Sequence, residues 1–417
     1  MVTLTQNVSL LHDSETPFVG WSSGDQGKIF TEDNVYDNIS SIFPIALHEE
    51  AVVKSPLVSK KIRDIFVTIN MAILSQVISV FGVIANIINI VVFIKQGFGE
   101  AMTVTLTGLA VADLGTVTCQ MWLSICWNPW FHYERLKLPF RPLHIEYLSA
   151  GHPRLSSVRI SAWILALATF ERCLCITIPF KVREIITPRR ARVFVVAVFA
   201  VNTACAVPFY YTSRIVPFFD TSANRSYLVL SFTDDRQEID SVFFAFSVSL
   251  TVISFVAVAL CTAVLVYSLE QASKWRESVK TSDGMSASKE DKATDSANST
   301  STKKTQQLNK NKRAAKMVSL ISTIFIVCSL PNTVNQLVMS MVPEYAKNGG
   351  YVNINQTFWS LGYMAETVNA SINIFMYYSM STRYRTTIQD MVCARCFSAG
   401  AARNTGDEDG GPSTARK

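Results

Sequence analysis

Seven apolar runs, each about as long as a bilayer is thick, divide this chain, and nothing else in it constrains the fold as strongly. About 20 apolar residues in a helix cross the hydrocarbon core, because a helix satisfies every backbone N–H and C=O within itself. The runs lie at 65–94, 102–126, 153–178, 191–211, 242–269, 317–342 and 358–380. Helices buried in a large soluble protein rarely stay free of charge over such lengths. Composition agrees: 17% of the 417 residues are charged and 49% are apolar, where a soluble domain carries about 25% charge. The expected fold is an all-α membrane protein, a seven-helix bundle over 65–396.

Basic residues in short connectors set the expected orientation. Lys181, Arg183, Arg189, Arg190 and Arg192 follow the third run, Lys310, Lys312, Arg313 and Lys316 precede the sixth, and Arg383 and Arg385 follow the seventh. The alternate connectors are poorer in them. The N-terminus is therefore expected outside and the C-terminus in the cytoplasm. Asn7, Asn38, Asn224 and Asn355 head Asn-X-Ser/Thr triplets, candidates for glycosylation, and all fall on the side expected outside. Residues 1–18 lack the basic head and unbroken apolar core of a cleavable signal peptide. Residues 1–64, 271–316 and 397–417 are polar enough to be expected as a disordered N-terminus, third inner loop and tail.

The nine cysteines form neither a disulfide framework nor a metal-ligand pattern. Cys393 and Cys396 follow the last run, where palmitoylation and plain reduced thiols are both open readings. No basic and aromatic interleaving points to nucleic acid, and no nucleophile, base or metal set points to an enzyme.

Ionisable groups inside a bilayer are costly and are functional candidates by default. The second run contains Asp113, the inner edge of the third has Glu171 and Arg172, and the seventh holds Glu366, Asn369, Ser371 and Asn373. Asn369, Asn373 and Tyr377 are spaced by four and share a helix face. That face can meet Asp113 only inside the bundle. A static hydrogen-bond network and a hydrated pocket that rearranges both fit this pattern.

In order along the chain these residues resemble the rhodopsin-like (class A) G-protein-coupled receptors. Asn86 matches the first-helix asparagine, and LAVADL, with Asp113, the second-helix motif. Glu171-Arg172-Cys173 is similar to the Asp/Glu-Arg-Tyr motif, with Pro179 at the family spacing. Cys328 and Pro331 match the sixth-helix bend, NIFMY from Asn373 to Tyr377 the Asn-Pro-X-X-Tyr motif, and Tyr384 the aromatic of a short amphipathic eighth helix. The wording FERCLCITIPFKV and NASINIFMYYSMSTRYR is most similar to molluscan chemosensory-type receptors and to invertebrate FMRFamide-type neuropeptide receptors. There are departures. Ser329 stands where the bend tryptophan is usual, and Ile374 replaces the seventh-helix proline. Both cysteines of the usual outer disulfide are missing, with Tyr147 near one position. The outer loops are expected to be held by packing instead.

The resemblance implies an extracellular ligand, chemosensory or alternatively a neuropeptide, a heterotrimeric G protein inside, lipid contacts and a plasma-membrane location. It implies coupling and activation through Glu171, Arg172, Pro179, Phe180, Pro331, Asn373 and Tyr377. It also implies a polar pocket of Asp113, Ser161, Asn369, Asn373 and Asn86 with an allosteric sodium ion, and no other cofactor. Ligand candidates are Arg154, Arg159, Ser329, Tyr363 and Glu366. Arginine in the outer third helix would take an acidic ligand, or else Arg154 or Arg159 pairs internally with Glu366. A transporter would show repeated halves with broken helices and a channel a polar pore stripe; the sequence shows neither.

Overall fold

A computed structural model of the chain describes residues 58–131, 136–178, 182–220, 224–283, 295–342, 345 and 351–391. Its helices are α1 (Lys60–Gln96), α2 (Ala101–Cys126), α3 (Pro142–Thr177), α4 (Pro188–Thr212), α5 (Arg236–Asp283), α6 (Asp295–Met341) and α7 (Val352–Met380). A four-residue turn, Val182–Ile185, follows α3, and a short helix, α8, covers 382–391. Between α4 and α5 lies an antiparallel hairpin, β1 (Ser213–Asp220) and β2 (Arg225–Phe232).

The burial pattern is inside out relative to a soluble bundle. On α1, Ile73, Val77, Ile84 and Ile94 are exposed, while Asn70, Ser75, Ser79, Asn86 and Asn89 are buried. On α4, Val193, Val196, Val201 and Val207 are exposed and Asn202 is buried. Apolar residues outward and amides inward is the arrangement lipid demands. Among the described residues, six helices are long and apolar enough to cross a membrane. The exception is α7, whose Asn353, Asn355, Gln356, Glu366, Asn369 and Asn373 lower its apolarity. It packs against α1, α2 and α6 in the interior, where those groups find partners.

Three helix ends follow from local sequence. Ser59 caps α1 by accepting from the Ile62 amide, and Thr187 caps α4 by accepting from the Arg190 amide, with Pro188 in the first turn. Gly97 ends α1 with φ 77°, a value that favours glycine. At Gly362 a Cβ would lie 2.9 Å from the Asn332 Cβ, so α6 and α7 approach through a bare backbone.

Two expectations are corrected. Regular helix carries α5 through Asp283 and α6 from Asp295, across most of the 271–316 connector expected to be disordered; 284–294 lie outside the described residues. An established helix extends at the gain of one hydrogen bond per residue, and Gln, Ala, Lys and Glu propagate it well. The third span begins at Pro142, not Pro153, because a π turn at Tyr147–Gly151 carries the helix past that proline. The wider turn suits a ring that cannot donate a hydrogen bond.

The hairpin is tied to the bundle without a disulfide. The Leu228 amide donates to the Pro139 carbonyl at 2.8 Å, and the Leu230 amide donates to His144 Nδ1 at 2.9 Å. Tyr147 packs with Phe209, Leu230 and Phe232. Its hydroxyl accepts from Arg236, whose guanidinium lies 3.3 Å from the Phe232 ring centre. This aromatic cluster occupies the place where the resemblance leads one to expect a disulfide. Cys119, Cys126, Cys173, Cys175, Cys205, Cys261 and Cys328 are all free thiols.

Candidate functional site

At the hairpin end all seven helices line one cavity of about 160 Å³. Trp127, Tyr147, Phe209, Phe243, Trp359 and Tyr363 give it aromatic walls. Its polar groups include Glu146, His152 and Arg159 on α3, Asn332, Asn335 and Gln336 on α6, and Asn355 on α7. Cavities that are mostly apolar with a few placed polar groups are the usual form of a small-ligand site.

Against the cavity wall lies a buried triad. Arg154, 0% exposed, donates to Glu366 Oε2 at 3.0 Å and to the Tyr363 carbonyl at 3.0 Å. Asn332 donates to the other Glu366 oxygen at 2.5 Å. One carboxylate thus joins α3, α6 and α7, using both oxygens. The Arg154 guanidinium sits 3.7 Å from the centre of the Tyr363 ring, which faces the cavity.

The polar pocket comes next. Ser161 donates to Asp113 Oδ1 at 2.7 Å and Asn373 donates to Oδ2 at 2.8 Å, linking α2, α3 and α7. Asn369 Oδ1 is buried without a hydrogen bond. Asn86 belongs to an adjoining chain: it donates to the Ala370 and Gly82 carbonyls and accepts from Asn89, which accepts from Tyr384 at 2.6 Å.

At the far end Arg172 donates to Glu171 at 2.5 Å, and this is its ion pair among the described residues. Thr169 and Ser322 hydroxyls join α3 to α6 at 2.8 Å. Tyr377 packs edge-on against Phe93 at 5.1 Å and beside Tyr384, and its buried hydroxyl has no hydrogen bond. It makes no hydrogen bond to Arg172 in this arrangement.

The expected ligand residues separate cleanly. Arg159 and Tyr363 line the cavity; Arg154, Ser329 and Glu366 do not. Arg154 takes the internal alternative and is paired with Glu366, so it is not exposed to an acidic ligand. Arg159 instead donates to Asn202 and Ser156. The Ser329 hydroxyl is buried without a partner. Asn355 is corrected as a glycosylation candidate: it is buried in α7, and its amide nitrogen donates to the Tyr345 carbonyl. Asn224 is exposed at the hairpin turn. Pro179, Phe180, Cys393, Cys396, Asn7 and Asn38 lie outside the described residues. The site residues that were missed include Asn332 and Glu146. The former had a signal, since an amide directly after the α6 proline lies deep in an apolar run.

The model of one family, the serpentine type 7TM GPCR chemoreceptor Srw, matches residues 73–395. A curated relative, the tachykinin-like peptides receptor 86C of Drosophila melanogaster, is 20% identical over 242 residues, which are 58% of this chain. The matched stretch spans 43% of that receptor's length.

Proposed function

This chain belongs to the Srw family of serpentine seven-transmembrane G-protein-coupled receptors, and we propose that its cavity takes an extracellular ligand whose binding is relayed through the buried triad to Arg172 and a heterotrimeric G protein. The observation that carries this reading is the triad itself. Its Asn332 lines the cavity, and it holds three helices through one carboxylate.

In this reading the hairpin end faces outside at the plasma membrane, as the basic connectors support. Ser329 cannot act as the bulky bend residue of related receptors; Asn332, one residue beyond Pro331, reports the position of α6 to Glu366 instead. Pro331 removes one helix hydrogen bond and provides the hinge. Moving α6 away would strip Glu366 of one buried donor, an arrangement that costs about 1–3 kcal/mol. The triad therefore has two discrete states, and a ligand resting on Tyr363 and Asn332 biases them. The Asp113 pocket fits a small hard cation: a buried carboxylate, the Ser161 hydroxyl and the unbonded Asn369 oxygen are the donor types it needs. Asp113, Ser161, Asn369 and Asn373 would hold a sodium ion, which would supply charge that favours the resting packing of α2, α3 and α7.

The test is G-protein activation in cells with surface level measured in parallel. Arg172→Ala should lose activation at least about tenfold at unchanged surface level. Full activation by this variant would sink the reading. The chemosensory ligand is the first reading, in keeping with the family. A peptide is the second, favoured by the Drosophila melanogaster relative. Expression confined to sensory epithelium supports the first, and expression in central neurons the second.

A further inference from the structure

The cavity holds a carboxylate that the relay does not use. Glu146 is 3% exposed, yet it lines the cavity. Among the described residues it takes part in no ion pair. Its polar neighbour is the uncharged indole of Trp127. The guanidinium of Arg154 acts on it from a distance, with its bonds committed to Glu366 and Tyr363. Glu146 is the last residue before the π turn of α3, and a Cβ on Gly151 would come within 3.5 Å of its Oε1. The carboxylate therefore lies back along bare backbone at the edge of the cavity.

A buried carboxylate without a counter-charge is costly, and a partner cation relieves that cost. The walls beside it are suited to one. Trp127 and Trp359 both line the cavity with ring centres 5.4 Å apart, and Trp359 packs on Tyr363 at 4.4 Å. Indole faces attract cations within about 6 Å of the ring centre. The same wall already holds one: Arg154 sits over the Tyr363 ring. Arg159, the other charged group, lies 13 residues further along α3, which places it about 20 Å away, so it does not neutralise Glu146.

Given that the cavity is the ligand site, we propose that Glu146 anchors a cationic group of the ligand, an ammonium or a guanidinium seated between its carboxylate and the faces of Trp127 and Trp359. The expected acidic ligand is thereby replaced by a basic one, since the arginine meant to receive it is consumed internally.

The test uses full-length receptor purified in detergent and measures thermal stabilisation by phenylethylamine and by phenylethylguanidine, with N-acetylphenylethylamine and phenylacetate as uncharged and anionic counterparts. At least one cation should stabilise the wild type and the counterparts should not; which one does tells ammonium from guanidinium. Glu146→Gln should weaken that binding roughly tenfold or more, and Glu146→Asp, which keeps the charge, should fall between. Arg159→Gln should leave it intact. If Glu146→Gln fails to fold, the ranking of Glu146→Asp below wild type carries the test. Stabilisation by phenylacetate alone, by neither cation, or equally in wild type and both Glu146 variants overturns the proposal. Ligand-free G-protein activation, compared with Arg172→Ala, reports separately on the receptor reading: if it persists and depends on Arg172 while the amines do nothing, the anchor alone is wrong.

Discussion

Removing one member of the Arg154–Glu366 pair strands an ion in a low-dielectric interior, a loss of about 3–5 kcal/mol. Arg154→Ala and Glu366→Ala should each lower the melting temperature of purified receptor and its surface level. Replacing both with leucine should recover much of the fold, because two apolar side chains need no partner, yet leave signalling impaired. Recovery of both fold and signalling would show that the triad only holds the helices together. At the other end, the ion pair of Arg172 among the described residues is with its neighbour Glu171. The wild type should therefore signal measurably without ligand, and Glu171→Gln should raise that basal level; a silent unliganded receptor would count against so weak a clamp. Much of this column was legible from residue type alone. Asp113 and Asn373 are groups that lipid cannot tolerate, and they do meet. Glu146 was not legible, because a polar residue near a helix end has cheap alternatives, whereas Asn332, an amide deep in an apolar run, left a signal. Only the rotation of each helix decides whether they face the cavity.

That rotation is an element-scale property, and α3 shows why it hides from sequence reading. Pro153 has the look of a helix start, yet the π turn before it absorbs the missing donor and lets the helix continue from Pro142. The extra residue in that turn also rotates Glu146 and Tyr147 relative to everything below. The hairpin was readable in hindsight from two β-rich runs, SRIVPFFD and RSYLVLSF, flanking a short polar turn. With its anchor aromatic, Tyr147→Ala should destabilise the receptor by about 1–3 kcal/mol, from ring packing and one lost hydrogen bond. Hydrogen exchange should rise in Ser213–Phe232 first, whereas uniform change across all helices would place the loss elsewhere. Dithiothreitol should leave the melting temperature unmoved, since every described cysteine is a free thiol.

For the whole molecule, the proposed activation has α6 pivot against a bundle whose other contacts persist. Pro331→Ala restores a backbone donor at the hinge and should stabilise the resting receptor while lowering its maximal response; an unchanged response would place the pivot elsewhere. Topology has its own check. Glycosidase treatment should remove mass from the wild type, Asn224→Gln should lose one glycan, and Asn355→Gln should lose none. The aromatic anchoring of the hairpin has a practical consequence for making the protein. Receptors that need a covalent clasp on the outer face must be assembled in an oxidising compartment with an isomerase at hand. Here the hairpin is held by packing and hydrogen bonds, so bacterial membranes or cell-free synthesis into lipid nanodiscs, under reducing conditions throughout, should deliver it in its native form.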